Sequence, residues 1–337
     1  MPELRTDRLT GRSVIVAENR AGRPNEFAPA AGQYAASVAA AGAVAPESFT
    51  CPFCPGQEAL TPPAVFESKD EVGHWRIRVV PNKFPALTLD PMLPLSEGEG
   101  TRDRPALGAH EVVVESARHV ESVTALSVSE LDEVLSVYAS RLRHWRNDGR
   151  FRYGLVFKNL GSLAGASLSH VHSQLVALPD VPPLVQRELD RAEAAFKSQG
   201  ECPYCRLVND ERKDGARIVL DRDGYVAFCP YASLQPYEVW LLPARHEPWF
   251  EQGDHGAAGR LADVLHGLLK RVEAAVPGAA YNLLLRTAPW DEAAAEWCHW
   301  RIEILPRVAG IAGMELATGV HINPRAPERA ARHMRQN

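Results

Sequence analysis

The feature that most constrains this chain is that its motifs are written twice. Cys51-Pro-Phe-Cys54 recurs as Cys202-Pro-Tyr-Cys205, and the segments downstream of each pair recur in the same order. Val80-Pro-Asn82 matches Cys229-Pro-Tyr231, and Glu115-Ser-Ala-Arg-His119 matches Leu242-Pro-Ala-Arg-His246. Tyr153-Gly-Leu-Val-Phe157 matches Tyr281-Asn-Leu-Leu-Leu285, and His170-Val-His172-Ser-Gln174 matches His299-Trp-Arg301-Ile-Glu303. Matched order over that many segments implies a tandem duplication of one α+β unit. The expected halves are 1–190 and 191–337.

The chain between the motifs agrees with two such units. Strands are expected at 13–17, 75–80 and 111–115, where β-branched residues are bounded by Gly, Pro or charge. Ser127 with Glu130 makes a capping box, and Leu131, Val134, Leu135, Tyr138, Leu142 and Trp145 come next at helical spacing until Gly149. A strand at 153–158, a Gly/Ser-rich loop at 159–169 and an alternating segment around Val171, Gln174 and Val176 complete the first unit. Helical spacing at 184–197 leads into the second, with a turn at 202–205, strands at 225–228, 238–242 and 281–285, and a helix at 256–276.

Composition excludes whole classes of function. The chain has 37 Lys plus Arg against 42 Asp plus Glu, so no basic excess exists to bind nucleic acid or an anionic membrane surface. No stretch approaches the ~20 apolar residues of a membrane span, and the N-terminal charges precede no apolar core. A soluble, cytoplasmic protein is expected. Six cysteines are too few for a disulfide scaffold, and four of them lie in the two Cys-x-x-Cys pairs.

Each half therefore offers two cysteines and two histidines in one order. Cys51, Cys54, His119 and His170 form the first set, and Cys202, Cys205, His246 and His299 the second. Mixed thiolate and imidazole ligands suit tetrahedral zinc, and four protein ligands leave no open position for water, so two structural zinc sites are expected. Cys229 and Cys298 fall outside the pattern as ordinary buried cysteines. His110, His144, His266 and His333 have no partner in it and are read as satisfied surface or core residues.

The halves differ where chemistry is expected. His172 is matched by Arg301, so only the first half has a spare imidazole beside its metal candidate. On a strand His170, His172 and Gln174 share one face, and the preceding Gly/Ser loop can bring N–H groups and hydroxyls to a phosphate. A histidine beside a phosphate cradle suggests phosphoryl chemistry.

Six motifs stand out: Cys51-Pro-Phe-Cys54, Asn19-Arg20-Ala-Gly-Arg23-Pro24, Val80-Pro-Asn82-Lys-Phe84-Pro, Lys158-Asn159-Leu-Gly, Ser167-Leu-Ser-His170-Val-His172-Ser-Gln174 and Gly313-Met-Glu315-Leu-Ala-Thr-Gly319. Together they resemble the galactose-1-phosphate uridylyltransferase family, the transferase branch of the histidine-triad superfamily. The resemblance spans nearly the whole chain. It implies an α+β fold of two histidine-triad-like halves sharing a mainly antiparallel sheet flanked by helices, and a homodimer. It implies that His172 attacks the α-phosphorus of a nucleotide sugar and becomes nucleotidylated, while Gln174 donates to a non-bridging oxygen. It also implies phosphate contacts from Asn159, Ser167, Arg20 and Arg23, a base segment at Asn82 and Phe84, and a sugar hydroxyl partner in Glu315.

The implied reaction moves UMP between a UDP-hexose and a hexose 1-phosphate, as in galactose metabolism. One departure bears on the acceptor: the family's Lys-Phe pair before the tail glutamate is absent from Arg307-Val-Ala-Gly-Ile-Ala-Gly313. The second Cys-x-x-Cys and the ending His299-Trp-Arg-Ile-Glu303 look closer to a branch that includes ADP-glucose phosphorylase. Two alternatives stand beside the leading reading. One is an ADP-sugar phosphorylase using the same histidine with phosphate as acceptor, and the other a zinc-stabilised nucleotide-binding protein without turnover.

Overall fold

The computed structural model describes residues 2–22, 50–91, 105–253 and 259–337. Ten strands form one sheet: β3 (Phe66–Lys69), β4 (Trp75–Pro81), β5 (Ala109–Val114), β6 (Tyr153–Leu160), β7 (His172–Leu178), β8 (Ile218–Arg222), β9 (Tyr225–Phe228), β10 (Val239–Pro243), β11 (Tyr281–Arg286) and β12 (Arg301–Pro306). Their spatial order is β3-β4-β5-β7-β6-β11-β12-β10-β9-β8, with every pairing antiparallel. Counted inward from each edge, the order is the same in both halves. They meet at β6 and β11, where Tyr281 to Arg286 pair with Leu160 to Leu155, so the duplication read from the sequence appears as one continuous sheet. A small second sheet, β1 (Glu3–Thr6), β2 (Ser13–Val16) and β13 (His321–Asn323), ties the two ends of the chain together.

One face of the large sheet is covered by α1 (Val128–Asp148) and α4 (Arg260–Ala275), which pack on each other. The capping box forms as expected: Ser127 Oγ accepts from the Glu130 N–H at 3.2 Å and Glu130 Oε2 accepts from the Ser127 N–H at 2.7 Å. Gly149, at φ 77°, ends α1 in the left-handed region that glycine tolerates. The period of two then sorts the strand residues. Val113, Val156, Leu175, Ala177, Leu241, Leu283, Ile302 and Ile304 join the helix-side core, which runs across both halves. Their neighbours His172, Gln174, Arg301 and Glu303 point to the other face.

Two elements differ from expectation. The Cys202–Cys205 segment opens the helix α3 (Pro203–Asp214), with Cys202 at the cap and Pro203 in the first turn, where its missing N–H costs nothing. The helix expected at 256–276 spans Arg260–Ala275, and 254–258 lie outside the described residues. The boundary near 190 falls inside α2 (Pro183–Gln199). Two further helices, α5 (Gly313–Thr318) and α6 (Pro327–Gln336), lie in the tail. Among the described residues no helix is long and apolar enough to cross a membrane.

On the face of the second half opposite α4, Arg301 is buried among carboxylates, 2.7 Å from Glu188 and 2.6 Å from Glu303, and Arg286 reaches Glu303 at 2.9 Å. Burial alone would push the Glu303 carboxyl up, but Arg286 and Arg301 outweigh it and hold the group at about 2. Removing one partner from such a network leaves buried charge uncompensated. Arg301→Met should therefore cost roughly 3 to 5 kcal/mol in denaturant titration; a loss under about 1 kcal/mol would show that the network carries little stability.

Candidate active site and metal centres

The first metal candidates come together as expected. The ligand atoms of Cys51, Cys54, His119 and His170 lie within 4.8 Å of one another. His119 Nδ1 is 3.2 Å from Cys54 Sγ, and His170 Nδ1 is 3.6 Å from Cys51 Sγ and 3.7 Å from Cys54 Sγ. The outer nitrogens are engaged elsewhere: His170 Nε2 donates to the Ser116 carbonyl at 2.8 Å and His119 Nε2 lies 3.2 Å from Ser169 Oγ. With its Nε2 hydrogen on the Ser116 carbonyl, His170 presents an Nδ1 lone pair to the two sulfurs, and His119 turns its own Nδ1 to Cys54. Two thiols and two such nitrogens fit zinc.

The second set is gathered in part. Cys202, Cys205 and His246 fall within 4.8 Å of one another, and His246 donates from Nε2 to the Ala295 carbonyl at 2.6 Å, freeing Nδ1 for Cys205 at 3.4 Å. Cys202 is held down at about 4, first by its hydrogen bond with Cys205. His299 lies outside this 4.8 Å group, so the two sets are not gathered alike. Its Nδ1 turns to the Trp300 carbonyl at 3.5 Å, and its ring centroid is 5.5 Å from that of His246, against 4.8 Å between His119 and His170. Its Nε2 is buried without a partner, the state in which an imidazole nitrogen costs most and would gain most from a cation.

His172 stands at the start of β7, at the meeting of two cavities of about 320 and 430 Å³ that share Ser167, Leu168 and His172. Asn159, Gly161 and Ser169 line the smaller, and Phe53, Asn82, Phe84 and Gln174 the larger. The His172 Nδ1 lies 2.7 Å from the His170 carbonyl oxygen and donates to it, so Nε2 carries the lone pair. Burial, and then the nearby Lys158 ammonium, lower the imidazole's pKa and keep it neutral. Lys158 donates to the His172 carbonyl at 2.6 Å and to Glu115 at 2.7 Å. Tyr138 and Ser173 donate to the same Glu115 carboxylate.

Residues 1–182 match the family model described as galactose-1-phosphate uridyl transferase, N-terminal domain. The chain belongs to the galactose-1-phosphate uridylyltransferase family. Residues 107–337 also match a family described as a domain of unknown function, DUF4921. The chain is 33% identical to ADP-glucose phosphorylase of Arabidopsis thaliana over 99% of its length and 93% of that protein's. It is 25% identical to galactose-1-phosphate uridylyltransferase of Thermotoga maritima over 100% and 98%. Its fold superposes on the crystal structure of the Arabidopsis ADP-glucose phosphorylase with bound ADP-glucose at a TM-score of 0.84 and 31% identity, covering 100% and 99% of the two chains.

The other family positions divide. Asn82, Phe84, Asn159 and Ser167 line the cavities beside His172, whereas Arg20 sits exposed on a 3-10 turn at Glu18–Gly22 and lines neither. Arg23 lies outside the described residues. Glu315 also lines neither cavity, and its carboxylate accepts from the Ala312 N–H at 3.1 Å as a cap of α5. Two contributors escaped sequence reading. Asn282, from the second half, donates at 2.8 Å to both Asn159 Oδ1 and the Ala164 carbonyl, and so fixes the Gly/Ser loop. His110, read as having no partner, lies 2.8 Å from Gln174 Oε1. Lys158 did carry a signal, since a lysine in phase with the buried face of a strand requires a buried carboxylate.

Metal analysis of the purified protein should give close to two zinc ions per chain, and less than one would rule out the assignment. Cys51→Ser should remove about one equivalent and lower the melting temperature by roughly 10 °C or more, against a few degrees for Cys229→Ser.

Proposed function

We propose that this chain is a ping-pong nucleotidyltransferase in which His172 carries the nucleotidyl group. The observation that bears most weight is the His172 Nδ1 to His170 carbonyl hydrogen bond at 2.7 Å, which directs a neutral Nε2 lone pair to the junction of the two cavities. Nε2 attacks the α-phosphorus of a nucleoside diphosphate hexose, forming the P–N bond as the bond to the bridging oxygen breaks. Hexose 1-phosphate leaves with that electron pair. The ring becomes a phosphorylated imidazolium whose Nδ1–H stays on the carbonyl, so no proton moves. An acceptor phosphate oxygen then attacks phosphorus, the P–N bond breaks and the neutral imidazole returns.

Gln174 fits a transferase because its amide can donate to a phosphoryl oxygen but cannot take a proton from water. Ser167 and Asn159 stand where phosphate oxygens would lie, and the cavity with Asn82, Phe84 and Phe53 is the place for the nucleoside. Residues 1–190 form the catalytic half in this reading and 191–337 the supporting one, in a cytoplasmic homodimer. The two Cys/His groups would hold structural zinc, which when bound would crosslink each Cys-x-x-Cys segment to its histidines. Cys51, Cys54, His119 and His170 would hold one ion, and Cys202, Cys205, His246 and His299 the other.

The base and acceptor have two readings. UMP transfer between UDP-hexose and hexose 1-phosphate is the family's namesake reaction. Transfer of AMP from ADP-glucose to phosphate is favoured by the 33% identity to ADP-glucose phosphorylase and by the absent Lys-Phe pair before Glu315.

Mass spectrometry after mixing with UDP-glucose or ADP-glucose, without acceptor, separates these outcomes. An increment of UMP supports the first reading and AMP the second, while neither adduct leaves only a binding protein. His172→Gly should lose the adduct yet keep zinc content and fold, and wild-type transfer by that variant would refute the assignment. Gln174→His should still form the adduct but release free nucleoside monophosphate several times faster than wild type, since an ionisable ring can carry a proton for water.

A further inference from the structure

The amide of Gln174 can serve a phosphoryl oxygen only one way round. With its NH₂ turned to the phosphate it donates; rotated by half a turn it presents Oε1 to an anion and repels it. A glutamine side chain on a strand has no intrinsic preference between the two, so the surroundings must choose.

Two neighbouring side chains, His110 and Asn82, make that choice. The Ala86 N–H donates to His110 Nδ1 at 3.2 Å, so the neutral His110 ring carries its hydrogen on Nε2. That Nε2 lies 2.8 Å from Gln174 Oε1 and donates to it; Asn82 Nδ2, 3.1 Å from the same Nε2, is then a donor beside a donor, and both turn their hydrogens to Oε1. The Phe84 N–H donates to Asn82 Oδ1 at 2.9 Å, which turns the Asn82 NH₂ to the same Gln174 oxygen at 3.3 Å. Two donors thus converge on Oε1, and a flipped Gln174 would set its NH₂ against both of them. The backbone fixes the triangle, since the Asn82 N–H donates to the His110 carbonyl at 2.8 Å and His110 sits on β5 directly beside β7.

We propose that His110 is a positioning residue that holds the Gln174 amide in the orientation needed for transfer. The inference rests on the function assigned above, because it concerns the group that meets the phosphoryl oxygen. It also links the nucleoside cavity to the chemistry. Asn82 and Phe84 line that cavity, and through the Phe84 N–H and the Asn82 amide the same segment steadies Gln174.

The test is single-turnover nucleotidylation of the full-length protein by whichever of UDP-glucose or ADP-glucose loads the wild type. His110→Leu should slow adduct formation about tenfold to a hundredfold, with substrate affinity changed far less and the melting temperature nearly kept. His110→Gln, whose amide can donate from about the place of the lost Nε2, should recover to within roughly threefold of wild type. His110→Asn, too short to reach, should not, and it stands in should the leucine variant fail to fold. In a Gln174→Ala background His110→Leu should add less than about a twofold further loss, because the two residues act as one unit. A full effect of His110→Leu in that background, or wild-type rates in His110→Leu, overturns the assignment. If the wild type forms no adduct with either nucleotide sugar, the functional reading fails first and takes this assignment with it.

Discussion

The hydrogen bond from His172 Nδ1 to the His170 carbonyl, 2.7 Å long, is the contact on which the site depends. It joins two adjacent tasks in a three-residue stretch. The His170 ring turns Nδ1 to Cys51 and Cys54 and gives Nε2 to the Ser116 carbonyl, so this residue is fixed from both ends. Its carbonyl can then fix the tautomer of His172. Beneath the same segment Lys158 donates to the His172 carbonyl and to the buried Glu115. A zinc-type cluster and a buried ion pair thus hold one short piece of backbone, which is the kind of support that preorganised nucleophilic chemistry requires.

The second half shows the same framework put to another use. Where the first half has His172 and Gln174, the second has Arg301 and Glu303, and both are buried in a network with Glu188 and Arg286. Arg301 also lies 4.7 Å over the Trp240 ring. A guanidinium held this way is neither a nucleophile nor free to meet an incoming phosphate. The half contributes instead through Asn282, which crosses the β6 and β11 junction to fasten Asn159 and the loop at Ala164. Antiparallel pairing of two duplicated units puts Asn282 directly opposite Asn159, so the duplication itself supplies a support that one unit alone would lack.

Features that are local or repeated were legible in the chain. Period-two alternation placed His172 and Gln174 on one face of β7, the Ser127 and Glu130 pair announced the start of α1, and matched motif order foretold the two-fold plan of the sheet. The Cys51, Cys54, His119 and His170 set was legible because a duplicated ligand pattern has little other use. Relations between residues that no spacing connects arose only on folding. His299 turns its Nδ1 to its neighbour's carbonyl, Cys202 stands at the N-cap position of α3, and Glu315 caps α5 away from the two cavities. His110 and Asn282 gained their roles because strand register brought them within hydrogen-bond reach of Gln174 and Asn159. A hydrogen bond is decided by tenths of an ångström and by which lone pair is free, and those are set by how strands and loops far apart in the chain come to lie side by side.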